Sequence, residues 1–172
     1  DILYITGVTN YLEFQCVEGS YVFSGKTKQV AKMPSTVEEA MNTPLLSFMQ
    51  KLKYKSFLTG IDKMEIPGED GVDSDEDVPL NRMTTRELYK KYGLDDNSQD
   101  FTGHAMALHL NDEYLDEPAT ETVKAIKLYG YSVNAYGKSP FIYPLYGLGG
   151  LPEGFSRLCG LNGGVFILNQ YI

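Results

Sequence analysis

The sequence has no tryptophan, two cysteines and two histidines in 172 residues. Cys16 and Cys159 are too few for a disulfide framework. They leave either free thiols, the state expected in a reducing compartment, or one bridge. His104 and His109 are five residues apart and off one helical face, so no zinc pattern forms. No run of about eighteen apolar residues exists to span a bilayer. Basic residues are outnumbered, the net charge being −8. A broad basic face for a nucleic-acid backbone is thereby excluded. The start, Asp1-Ile2-Leu3-Tyr4, has neither an initiator Met nor a basic leader, which suggests a piece of a longer chain. A Gly-x-Ser-x-Gly elbow is lacking. Ser24-Gly25-Lys26 has no leading glycine of a phosphate loop. Gly147-Leu148-Gly149 is interrupted by Pro152 and misses the dinucleotide spacing. No metal, cofactor or catalytic site is expected.

What is present has the balance of a globular protein, 42% hydrophobic and 22% charged. The acidic excess is local: Asp62 to Asp77 hold eight acids against Lys63. With Gly68, Gly71, Pro67 and Pro79, residues 62–79 read as an exposed loop. Asp73, Asp75 and Asp77 have the spacing of the first EF-hand ligands. Val78 and Thr84 then occupy the positions of the required Gly and Glu, so a solvated loop is favoured over a calcium site.

Periodicity predicts an α+β chain. Residues 1–36 read as strands: Tyr11 to Val17 alternates, Tyr21 to Phe23 resumes after a break, and Gln29 to Met33 completes a hairpin. Residues 37–135 read as helices. Ser35-Thr-Val-Glu38 and Thr84-Thr-Arg-Glu87 fit capping boxes, Pro44 opens a helix, and Gly93 is a helix stop. Phe48, Met49 and Leu52 fall at helical spacing, with Phe57, Leu58 and Ile61 further on. A helix is predicted from Asp95 to Leu110, with Phe101, His104, Ala105 and Leu108 on one face and Met106 off it. Pro118 opens another to Ala135, with Val123, Ile126 and Val133 inward. His104 reads as a hydrogen-bonded core or pocket histidine rather than a base, since no acid or nucleophile flanks it. Residues 136–172 carry a Gly-, Pro- and Tyr-rich loop, a short helix from Glu153 to Leu161 stopped by Gly163-Gly164, and a buried strand, Val165 to Leu168.

Three runs add a resemblance. Asp100-Phe-Thr-Gly-His-Ala-Met-Ala-Leu108 resembles a helix signature of the Rab GDP-dissociation inhibitors, and Glu113-Tyr-Leu-Asp-Glu-Pro118 follows at that family's distance. Tyr136-Gly-Lys-Ser-Pro-Phe-Ile-Tyr-Pro-Leu-Tyr-Gly-Leu-Gly149, with Leu151 to Leu158 and Gly163-Gly164, is similar to a conserved region of the wider inhibitor and escort-protein family. The likeness covers the whole chain. Gly150 and Val165 depart from it, standing where Glu and Thr are usual.

The resemblance implies a regulator, not an enzyme. It would bind GDP-bound, geranylgeranylated Rab GTPases, slow GDP release, and move them between membrane and cytoplasm, with transient membrane contact. It implies a helical, prenyl-binding lobe at 37–135, flanked by pieces of a larger sheet lobe at 1–36 and 136–172. Rab contact would fall to Arg157, Gly150, Leu151, Tyr146 and Val165. An effector-type mobile loop would comprise Tyr136, Gly137, Lys138, Ser139, Pro140, Phe141, Ile142 and Tyr143. The prenyl group would meet Phe48, Met49, Leu52, Phe101, His104, Met106, Ala107, Val123 and Ile126. The alternatives are an escort protein that presents Rab to a prenyltransferase, and a fragment of a flavin-dependent oxidoreductase.

Overall fold

The computed structural model describes residues 2–25, 28–32, 37–43, 46–66, 79–137 and 139–171. The capping box at 35–38 in part, Pro44, the acidic run 67–78 with its EF-hand-like aspartates, and Lys138 lie outside the described residues. The fold is α+β: helices with two small antiparallel sheets, each two-stranded. Contacts divide the chain into one unit of residues 1–17 and 141–172 and a second of residues 18–140. The expected boundaries at 36 and 136 differ from these. The hairpin β2 (Tyr21–Ser24) with β3 (Gln29–Lys32) belongs with the helices.

The helical unit is built on α3 (Phe48–Asp62), α5 (Thr85–Tyr92), α6 (Asp96–Asp100) and α7 (Ala119–Tyr136), with short α2 (Val37–Asn42) and α4 (Pro79–Arg82). Its core is aromatic. Tyr54, Phe57 and Tyr89 are fully buried, and Phe57 meets Tyr89 and Tyr92 edge-on at 5.8 and 5.5 Å. Such edge contacts add to the area these rings bury. Tyr54, Phe57 and Ile61 form the inward face of α3, and Val123, Ile126, Tyr129 and Val133 that of α7. Phe48, Met49 and Leu52 have the predicted helical spacing but point outward, 70, 63 and 45% exposed. The helix is apolar on both sides, so spacing did not distinguish its faces.

The box at Thr84 forms as expected. Its hydroxyl accepts from Glu87 N and the Glu87 carboxylate accepts from Thr84 N, while Gly93 closes α5 at φ 66°. The starts of α5 and α7 are tied together: Thr85 N donates to Glu117 O at 3.0 Å and Ala119 N to Met83 O at 2.9 Å.

The predicted helix 95–110 is shorter. After α6 the chain continues as one wide π-turn, Phe101–Met106, and stops. His109 N donates to Gly103 O at 3.0 Å and Leu108 stands at φ 62°, a left-handed closure of the kind glycine usually makes. Leu108 is therefore exposed and does not share the inward face, and Leu110 is wholly exposed. Gly103 is required where it is, since a Cβ there would lie 1.8 Å from the hydroxyl of buried Tyr114.

The other unit holds α1 (Ile2–Ile5), a 3-10 turn (Val8–Tyr11), β1 (Phe14–Cys16), β4 (Ile142–Pro144) and α8 (Gly150–Leu161). The start of the chain is thus helical where strand was expected. β1 pairs with β4, Gln15 facing Tyr143, and not with the strand that follows it in sequence. Val165 to Leu168 is neither strand nor buried, Val165 being 85% exposed. An extended run becomes a strand only when a neighbour takes its ladder bonds, and no described strand does so here. Neither Cys16 nor Cys159 is in a disulfide.

Two substitutions, one on the π-turn and one just beyond it, should move stability in opposite directions in thermal melts. Gly103→Ala overpacks against Tyr114 and should cost about 1–3 kcal/mol. Leu108→Gly removes the left-handed strain at an exposed position and should gain about 0.5 kcal/mol.

Candidate functional site

Two regions gather the predicted residues. The first is a cleft of about 260 Å³ in the β1–β4–α8 unit, lined by Tyr11, Glu13, Tyr146, Gly150, Gly154 and Arg157 among others. The ladder that builds it is short: Val17 N donates to Phe141 O at 2.9 Å, and Leu145 N to Glu13 O at 2.8 Å. α8 can lie close because Gly154 has no side chain; a Cβ there would sit 3.0 Å from Val8 Cγ1. The Arg157 guanidinium lies 5.2 Å from the centre of the Tyr11 ring. This cation–π contact turns the side chain towards Tyr11. Its charge remains at the surface.

Of the five residues expected to contact Rab, Arg157, Tyr146 and Gly150 line this cleft together. Leu151 is half-buried on α8, and Val165 lies in the exposed segment after it. Tyr11, Glu13 and Gly154 were not foreseen. A glycine inside the predicted helix 153–161 was a signal of close approach; Tyr11 and Glu13 gave none, since they arrive through the β1–β4 pairing. The expected effector loop is partly regular. Tyr136 ends α7, Gly137 caps it at φ 83°, Ser139 is buried and Pro140 half-buried. Phe141 accepts a ladder bond, and Ile142 and Tyr143 belong to β4 rather than to a loop.

The second region is the helical unit. The nine residues expected at a prenyl group do not share one environment. Phe48, Met49 and Leu52 are exposed on α3, whereas Met106, Val123 and Ile126 are buried in a filled core. Phe101 and Ala107 pack partly buried against that core. Among the described clefts, only a shallow one beside α3 includes any of the nine, namely Leu52.

His104 is the ninth, and both its ring nitrogens are occupied. Nδ1 lies 2.8 Å from His109 O, and Nε2 lies 3.0 Å from Asp112 Oδ1. Both partners are acceptors, so the doubly protonated ring alone satisfies both. The His109 carbonyl, and then Asp112, accordingly raise its pKa. His109 stacks on Tyr114 at 4.0 Å and contacts Thr122 Oγ1 at 3.0 Å. Burial, and then the charge of His104, lower its pKa. Burial likewise pushes the Tyr54 and Tyr89 hydroxyls well above the usual tyrosine range. These groups are used to close the π-turn and fill the core. Among the described residues no group of acidic, histidine and cysteine side chains could hold a metal ion.

The class that emerges is an α+β protein with an arginine-bearing cleft on one unit and an aromatic-cored helical lobe as the other. The family model described as GDP dissociation inhibitor matches residues 1–172, and the chain belongs to that family. It is 45% identical over 170 residues to a probable secretory pathway GDP dissociation inhibitor 1 of Schizosaccharomyces pombe, covering 99% of this chain and 38% of that protein. With the Rab GDP dissociation inhibitor beta of Rattus norvegicus it shares 42% identity over 171 residues, covering 99% and 37% respectively. The crystal structure of a Rab GDI from Plasmodium falciparum superposes with a TM-score of 0.82 at 46% identity, over 94% of this chain and 37% of that one. The chain thus spans little more than a third of the length of these relatives.

The two histidines should separate in an NMR titration. With its pKa raised, His104 contributes stability that is complete below about pH 6.5 and is lost as pH rises through its folded value. His109, lowered, contributes above about pH 6.5 and loses that contribution as pH falls. His104 should therefore titrate at the higher pH, and Asp112→Asn should lower its value. Titration of both together would contradict the assigned hydrogen bonds.

Proposed function

We propose that this chain is the part of a Rab GDP-dissociation inhibitor that meets the prenylated GTPase. In this reading the whole protein is a regulator and not a catalyst. It binds GDP-bound, geranylgeranylated Rab, slows GDP release, and carries the GTPase through the cytoplasm between transient visits to membranes. The family match over residues 1–172 carries the reading. The inhibitor names of the relatives favour it over an escort role.

Two physical features support it. The first is the exposed Arg157 held over Tyr11 beside Tyr146 and Gly150. An arginine pre-ordered by a ring loses less entropy on binding, and arginine and tyrosine often dominate interface energies. The run Tyr136 to Tyr143 would act with it as the effector segment. The second is the apolar helical lobe. A geranylgeranyl chain of about twenty carbons, at ~0.8 kcal/mol each, gains on the order of 16 kcal/mol on leaving water, as an upper bound. A carrier must offer comparable apolar surface to compete with a bilayer. Phe48, Met49 and Leu52 offer it already exposed. Met106, Val123 and Ile126 become available if the helices part, and methionine tolerates such repacking.

In the full-length protein, Arg157→Ala should weaken binding of GDP-bound, prenylated Rab by about 1–3 kcal/mol at unchanged melting temperature. Unchanged affinity with a lowered melting temperature would make Arg157 structural. A fluorescent geranylgeranylated Rab-tail peptide should bind the chain saturably, and binding no better than that of its unprenylated control would sink the lipid reading.

A further inference from the structure

The outward side of α3 is chemically unusual. Phe48, Leu52, Ser56 and Thr59 recur there at helical spacing, all exposed, opposite buried Tyr54, Phe57 and Ile61. Lys55 borders this strip on one side, and Met49 with Lys53 on the other. Beside the strip, where α3 meets α5, lies an open groove of about 430 Å³ lined by Lys55, Ser56, Thr59, Lys63 and Tyr92. Gly60 makes room for the Tyr92 ring, because a Cβ there would stand 2.0 Å from its hydroxyl. Lys53 lies over Gly93 at the end of α5, whose last turn adds Lys90 and Lys91.

None of these five lysines forms an ion pair among the described residues. The acids on the two helices are few: Asp62 in the last turn of α3, and Glu87 in the capping box at the far end of α5. A chain of net charge −8 thus carries a locally basic, hydroxyl-bearing groove next to exposed phenylalanine, methionine and leucine.

We propose that this face of α3 with its groove docks on an anionic phospholipid bilayer. Phe48, Met49 and Leu52 enter the headgroup boundary. Lys53, Lys55 and Lys63 remain at phosphate level, their stems lying along the apolar surface. Ser56, Thr59 and Tyr92 offer hydroxyls to lipid phosphates in the groove. Charge complementarity selects this occupant: an apolar protein helix has no use for lysines without an ion-pair partner among the described residues on both borders, whereas an acidic leaflet attracts each of them. The proposal deepens the membrane visit of the proposed function but does not depend on Arg157.

The test is co-sedimentation of the 172-residue chain with vesicles of phosphatidylcholine alone and of an equimolar mixture with phosphatidylserine. The chain should bind the mixed vesicles, bind the neutral ones far less, and be released by salt. Each lysine at the surface contributes about fivefold, so Lys53→Glu/Lys55→Glu/Lys63→Glu should reduce binding by well over tenfold. If that variant melts early, Lys53→Gln/Lys55→Gln/Lys63→Gln carries the same expectation in weaker form. Failure to bind mixed vesicles, equal binding to both vesicles, or wild-type binding by the folded variants would each overturn the proposal. The glutamine variant should still bind the geranylgeranylated Rab-tail peptide. Loss of peptide binding by wild type with vesicle binding intact would sink the proposed function and leave this surface standing.

Discussion

The helical unit depends on one packing constraint: bulky rings meet at its centre, and glycines make the space for them. Tyr114 lies where a side chain at position 103 would be, and Tyr92 where one at position 60 would be. Phe57 stands between Tyr89 and Tyr92, and Tyr114 reaches Tyr89 on one side and the His109 ring on the other. Interiors are close-packed, so such ring-on-backbone contacts admit little adjustment. The wide turn at Phe101–Met106 follows from this arrangement. It brings Gly103 under Tyr114, buries Met106, and sends the chain out through Leu108, with His104 closing the exit.

Much of this was legible before the structure. The Thr84 box and Gly93 stop were local signals with local causes, and α7 showed its inward residues by period. The wide turn was hidden because it differs from an α-helix by one residue in its hydrogen bonding, and Leu108 does not announce a left-handed conformation. The facing of α3 was hidden because it has large apolar residues on opposite sides. Phe57 is inward and Phe48 outward for reasons that lie in α5 and α7. The β1–β4 pairing joins residues from the two ends of the chain, beyond the reach of any local pattern. The Tyr11–Arg157 contact was invisible for the same reason, although Arg157 itself stood out by resemblance and by its isolation among apolar residues.

The candidate surfaces of the two units differ in how they are made. In the β1–β4–α8 unit a charged group is held by a ring and left open to solvent. On α3 the apolar residues are outward because the inward positions are already filled by larger rings. A helix packed in this way presents its remaining apolar residues as a surface and not as a vacancy. In the family role proposed here, lipid is met first at that surface, and deeper residues such as Val123 and Ile126 take part only when packing opens.

Burial is unequal between the units. The β1–β4–α8 unit buries Val8, Pro144 and Gly154, whereas the helical unit holds a continuous cluster from Leu46 to Val133. Opening free energy follows buried apolar contact. Backbone amides of α3, α5 and α7 are thus placed to exchange with deuterium only when the helical cluster opens as a whole. Those of β1 and β4, in a ladder with almost no apolar layer over it, exchange through small local openings. Protein of this length therefore has two rates of deuterium uptake built into it, and the boundary between them follows the division of its contacts.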